Sequence, residues 1–242
     1  MIRFFLKITF LGLLLEASAI DYVLTYPKSG THWFLYSLTY LTQRDAFSDQ
    51  RFSALLEINP DLPGMDHLHY FTDPEALDDG QGFIEGDRMI LLLRDFKESI
   101  PRARHEAYDD ILSLVDSMQE EYLTNLQAFA LLPEASKLVV YYEDLCRFPE
   151  KTLRQVLQFL KEDEARVDLF IKNFEFHRNQ SLSYYNHQET YGGTQSRGED
   201  LQFHQKRAPE GFNQKLEELF LKVAPELSKK YLARYFSRSL ED

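Results

Sequence analysis

Cysteine is nearly missing from this chain of 242 residues: there is one, Cys146. An intrachain disulfide and a cysteine-rich metal cluster are both excluded, and Cys146, placed after an apolar stretch, reads as a small buried hydrophobe. Positive charge is also scarce, with 27 Lys and Arg against 39 Asp and Glu and a net charge of −12. That balance argues against a nucleic-acid partner held by general electrostatic attraction. It also makes the few cations in loops informative, because an acidic protein that binds an anion must concentrate its positive charge locally. The pattern G-x-x-x-x-G-K-[ST] is absent, so an ordinary ATPase or GTPase is the weaker reading. The apolar run Ile8 to Leu15 falls short of the roughly 20 residues needed to span a bilayer.

Hydrophobic residues make up 44% of the chain, including 19 Phe and 14 Tyr, enough to bury a large core and to exclude disorder. Buried-strand patterns alternating with helical ones predict a single α/β domain over residues 20–242. The preceding residues have their own pattern. Arg3 and Lys7 flank the start, the apolar run follows, and Ala17-Ser18-Ala19 is a small-x-small site. Residues 1–19 are therefore expected to be a signal peptide, the alternative being a strand or helix of the domain.

The chain is organised around Tyr22-Val23-Leu24-Thr25-Tyr26-Pro27-Lys28-Ser29-Gly30-Thr31-His32-Trp33. β-favouring residues run into Pro27 and Gly30, and Thr31 to Gln43 reads as a helix, which makes a strand, a tight loop and a helix start. Such a corner binds anions, because the first N–H groups of a helix are unpaired and its dipole is positive there. Gly30 allows close backbone approach, Lys28 adds a full charge, and Ser29 and Thr31 add hydroxyl donors. After the turn Asn59–Gly64 comes the alternating run Met65-Asp66-His67-Leu68-His69-Tyr70-Phe71, which could place both histidines on one face of a strand. A His-x-His pair without further ligands falls short of a metal site. Met89–Asp95 reads as a strand buried on both faces, with Arg94 at the end where open α/β sheets bind ligands.

Tyr-Pro-Lys-Ser-Gly-Thr-x-Trp resembles the 5′-phosphosulfate loop of the sulfotransferases, which use 3′-phosphoadenosine 5′-phosphosulfate (PAPS) as sulfuryl donor. The resemblance covers Asp21 to about Arg207. It implies a three-layer, P-loop-like fold with a central, mostly parallel sheet flanked by helices. It also implies PAPS as co-substrate, no metal, and a small-molecule or carbohydrate acceptor offering a hydroxyl or an amine. Pro27, Lys28, Ser29, Gly30, Thr31, His32 and Trp33 would then hold the donor's 5′ end, with Lys28 neutralising the leaving oxygen.

The family's catalytic histidine usually lies in Lys-Thr-His-Leu. Met65-Asp66-His67-Leu68 keeps His-Leu without the lysine, so His67 is the implied base and His69 its competitor. Arg94-Asp95-Phe96-Lys97-Glu98 resembles the Arg-Asp-Pro-Arg-Asp type motif whose first arginine binds the 3′-phosphate. Eight residues on, Arg102 stands in place of the family's serine, and Ser99 is the other candidate.

Lys137–Leu145 reads as a further buried strand ahead of a helix from Pro149 to Leu160. The resemblance gives its Tyr142 an adenine-facing role, together with Phe174 near the end of a helix over Asp163–Phe176. The long polar stretch Arg178–Pro209 reads as a lid. Its Arg197 and Gly198 resemble the family's Arg-Lys-Gly turn on the 3′-phosphate, without the Gly-Asp-Trp that follows it there. The implied activity is in-line sulfuryl transfer. The alternatives are a secreted binding protein that keeps the fold without the chemistry and, further off, a small-molecule kinase. Location follows the N-terminus: the secretory pathway if residues 1–19 are a signal, the cytoplasm otherwise, with membrane contact only through that segment.

Overall fold

The computed structural model describes residues 19–46, 56–58, 63–75, 82–103, 118–187 and 201–237. The expected signal peptide, apart from Ala19, and the lid residues Arg197 and Gly198 lie outside these.

Four strands form an all-parallel sheet among the described residues: β1 (Asp21–Thr25), β2 (Asp66–Leu68), β3 (Arg88–Leu93) and β4 (Lys137–Tyr141). Their order is β2-β1-β3-β4, so the connection from β1 runs toward one edge of the sheet and the connection from β3 toward the other. The crevice at the C-terminal ends of β1 and β3 is the place where such sheets bind ligands.

The period-2 alternation of the strands builds two separate cores. Tyr22 and Leu24 of β1 and Met89, Leu91 and Leu93 of β3 face one side. There they meet α2 (Phe96–Ala103), α3 (Thr124–Leu131) and α9 (Phe212–Val223) through Phe96, Phe129 and Phe220. Val23, Ile90, Leu92 and Val140 face the other, against α1 (Thr31–Thr42), α5 (Pro149–Leu160) and α6 (Val167–Lys172) through Leu35, Leu38, Leu157 and Phe170. Helix, sheet and helix layers are thus present as the resemblance implied, and β3 is buried on both faces as its apolar run predicts.

Three expectations need correction. The strand read over Lys137–Leu145 stops at Tyr141, and Tyr142–Arg147 is a helix, α4, with Glu143 and Asp144 in its first turn, where acidic groups favour the helix dipole. Tyr142 therefore starts a helix. The helix read over Asp163–Phe176 is two helices, α6 and α7 (Phe174–His187), broken near Asn173. Residues 178–187 accordingly belong to α7 and not to the lid; their polarity masked a helix docked by His177 and Gln180, both hydrogen-bonded to the Tyr36 hydroxyl. Beyond α9 the chain runs in short turns, π-helical at Ser228–Leu232 and 3₁₀ at Ala233–Tyr235.

Candidate functional site

The loop between β1 and α1 is a strained turn. Lys28 and Gly30 both have positive φ, 69° and 98°, a conformation costly for a lysine. The turn is held by Ser29 N–H donating to the Tyr26 carbonyl (3.1 Å) and by the Arg94 guanidinium donating to the Lys28 carbonyl (3.2 Å). Gly30 caps α1 with no side-chain cap, and the first turn of α1 has no acidic residue. The positive end of the helix is thereby left for an external anion.

Arg94 leaves the end of β3 and points at this loop. It is 5% exposed, lies 4.6 Å from the centre of the Tyr142 ring, and has Glu98 at 3.9 Å. Among the described residues, its Nε and the Ser29 hydroxyl are buried without a hydrogen-bond partner. Buried polar groups are rarely left so, and two beside one helix N-terminus suit an incoming anion.

The sequence reading gave Gly30 the task of close approach by a phosphate. In the structure it also admits Tyr142: a Cβ at residue 30 would lie 2.3 Å from two ring carbons of that tyrosine. Burial first, then Cys146, pushes the Tyr142 phenol up to about 12, while the charges of Arg94 and Arg102 pull the other way. Arg102, in the last turn of α2, thus contributes to the same positive field. Ser99 donates its hydroxyl to the carbonyl of Asp95, the residue just ahead of α2 (3.1 Å). Arg178, read from sequence as part of the lid, stands on α7, and its charge is felt at Cys146.

Trp33 is half-buried, with Phe174 edge-on at 5.3 Å and Phe170 stacked at 5.7 Å. Phe174 and Tyr142 pack against the same core as Trp33, so the three aromatic residues picked from sequence share one side of the sheet. Pro27 and His32 are half-buried in the loop and the first turn of α1.

The histidines converge on Thr25, where β1 enters the loop. Thr25, the last residue of β1, holds His67 Nε2 at 2.9 Å and His69 Nδ1 at 3.3 Å from its hydroxyl, and the Thr31 hydroxyl donates to it at 2.9 Å. His67 lies in β2 and His69 just beyond, their rings 4.5 Å apart. Burial lowers the His69 pKa, against the opposing charge of Glu121. The backbone around His69 is fixed by the buried Asn125, which donates to the His69 carbonyl (2.8 Å) and accepts from Phe71 N–H (2.7 Å). Sequence reasoning missed Thr25 and Asn125. Thr25 was legible as the last strand residue before the loop; Asn125, in a helix 56 residues from His69, carried no local signal.

No group of acidic, histidine or cysteine residues suited to a metal occurs among the described residues. No protein-family model matches the chain, and a search of curated proteins finds no match. Solved structures do match. Mouse sulfotransferase SULT7A1 complexed with PAP, the desulfated 3′-phosphoadenosine 5′-phosphate, aligns at a TM-score of 0.59 and 15% identity, over 87% of this chain and 86% of that one. Retinol dehydratase, in complex with androsterone and inactive cofactor PAP, aligns at 0.54 and 14%, over 84% of this chain and 80% of that one. With its four-stranded parallel sheet and helices on both faces, the chain has the fold of the sulfotransferases.

Proposed function

We propose that this protein is a sulfotransferase, moving the sulfuryl group of PAPS to a hydroxyl or amine of a small-molecule or carbohydrate acceptor. The observation that carries the reading is Arg94: a buried guanidinium from β3, bonded to the Lys28 carbonyl, with its own Nε and the neighbouring Ser29 hydroxyl unsatisfied. Those groups fit the phosphates of PAPS. In this reading the N–H groups of Gly30 to His32 and the unsatisfied Ser29 hydroxyl hold the 5′-phosphate, and Arg94 with Arg102 takes the 3′-phosphate. Trp33, Tyr142 and Phe174 offer faces to the purine, and Arg197 and Gly198 are assigned to the 3′-phosphate. PAPS brings an activated sulfur–oxygen bond. The protein's task is then positioning and stabilisation of charge, without metal.

Lys28 neutralises the oxygen that leaves with PAP. A histidine at the end of β2, His67 or His69, accepts the acceptor's proton, a contribution of ~10²–10⁴-fold. Tyr70, 58% exposed beside them, gives an apolar or aromatic acceptor a surface to rest on. Incubation of the full chain with PAPS and a panel of alcohols, phenols and amines should release PAP in step with sulfated product. Lys28→Ala should remove that release; equal release from Lys28→Ala would refute the role of the loop. Residues 1–19 are assigned as a signal peptide. Protein secreted from eukaryotic cells should then begin at Ile20, and an intact Met1 on secreted protein would contradict the assignment.

A further inference from the structure

We propose that His69 is the base that takes the acceptor's proton, and that His67, the residue in register with the family's motif, is a positioning residue locked by Thr25. This deepens the sulfuryl-transfer reading and rests on it. The argument is one of hydrogen-bond inventory. His69 Nδ1 lies 3.2 Å from the Thr25 carbonyl oxygen, and a carbonyl can only accept. Nδ1 therefore carries the hydrogen, and Nε2 carries the lone pair. Among the described residues that Nε2 has no hydrogen-bond partner, and His69 as a residue is exposed. A histidine whose Nδ1–H is fixed by a backbone carbonyl and whose Nε2 is open has the orientation of a general base.

His67 has the opposite arrangement. The Thr25 hydroxyl has two lone pairs and one proton. It accepts from Thr31 Oγ1 at 2.9 Å and, at 3.3 Å, from the forked Nδ1–H of His69. Its proton is left for His67 Nε2 at 2.9 Å. Were His67 to donate there instead, Thr25 would receive three hydrogens on two lone pairs and have no acceptor for its own. The His67 Nε2 lone pair is thus already occupied. Asn125 supports the same assignment, since it fixes the carbonyl of residue 69 and the N–H of Phe71, the backbone on which the His69 ring is carried. Desolvation of the ring lowers the His69 pKa, opposed by the hydrogen bond to the Thr25 carbonyl and by Glu121 on the π-helical turn before α3, and His67 from β2 is the other titratable ring facing it.

In the step itself, the acceptor oxygen gives its proton to His69 Nε2, which becomes imidazolium, and forms the new bond to sulfur. The bond from sulfur to the bridging oxygen breaks, its electron pair goes to that oxygen, and PAP leaves. The His69 proton then passes to solvent.

Diethyl pyrocarbonate acylates unprotonated, accessible imidazole nitrogens, and so reads the open lone pair without an acceptor. On the full chain at pH 7, peptide mass spectrometry should find His69 modified at least tenfold faster than His67. Thr25→Val should raise the rate at His67. With PAPS and 2-naphthol, His69→Gln should lower kcat by 10²-fold or more while PAP binding by calorimetry is retained. His67→Gln, whose amide oxygen can still accept from Thr25, should lose under tenfold in kcat, and His67→Ala more. Faster acylation at His67, or turnover preserved in His69→Gln, overturns the assignment. Failure of the unaltered chain to bind PAP overturns the sulfotransferase reading as a whole, a result distinct from either.

Discussion

Gly30 is the residue whose side chain matters most by being absent. Its φ of 98° is strained for any L-residue, and its Cα faces the Tyr142 ring so closely that a methyl would overlap two ring carbons. Gly30→Ala should cost well over ~1 kcal/mol in stability and abolish PAP binding, read by denaturant titration and calorimetry. Adding Tyr142→Ala should recover stability in part, because the clash is removed while the φ strain stays. Full additivity of the two changes would show that ring and glycine are not coupled. Arg94 is constrained in a different way. Its guanidinium serves the Lys28 carbonyl, the Tyr142 face and Glu98 together, so Arg94→Lys, which cannot reproduce the planar fork, should lose PAP affinity almost as fully as Arg94→Ala.

Among elements, α2 links the site to the end of the chain. Glu98, fully buried, accepts from the His204 and Gln205 N–H groups and so caps α8 (Phe203–Arg207). Asp95 accepts from the Gln205 side chain at 2.7 Å and from Lys97 N–H at 3.0 Å. Lys97 in turn pairs with Glu217 of α9 and donates to the Tyr235 carbonyl. Burial pushes the Asp95 carboxyl up to about 7, with Lys97 opposing and Glu143 and Glu98 adding to the rise. Between about pH 4 and pH 7 the folded chain therefore keeps a proton that the unfolded chain has released, and stability contributed by this group falls as pH rises through that window. Asp95→Asn should flatten that fall: the difference in Tm between variant and parent should grow from pH 4 to pH 7. A constant difference would mean that Asp95 does not titrate there. Asn125→Asp keeps the acceptor for Phe71 N–H but loses the donor to the His69 carbonyl. It should lower kcat and cost ~1–3 kcal/mol, since a buried carbonyl is left unsatisfied.

For the whole molecule, the layered fold was legible because β3 carries a continuous apolar run, β1 is built of β-favouring residues and the loop between β1 and α1 carries its own turn residues. Arg94, Lys28 and the two histidines were likewise legible as charged or titratable groups at strand ends, and the structure gathers them around Thr25 and the loop. Local pattern could not show where helices break. Tyr142 leaves the strand because acidic residues follow it, and α7 runs on through polar residues because its anchoring contacts, His177 and Gln180 to Tyr36, are more than a hundred positions away in sequence. For the same reason the occupied Nε2 of His67 could not be read from Met65-Asp66-His67-Leu68 alone. The central claim is that the corner between β1, β3 and α1 binds a bis-phosphorylated adenosine, and calorimetric titration of the full chain with PAP, in the presence of a metal chelator, tests it most directly. Saturable one-to-one binding, lost in Lys28→Ala and Arg94→Ala and not matched by ATP with Mg²⁺, is the predicted result. No heat from PAP with a folded chain, or binding of ATP that depends on Mg²⁺, would contradict it.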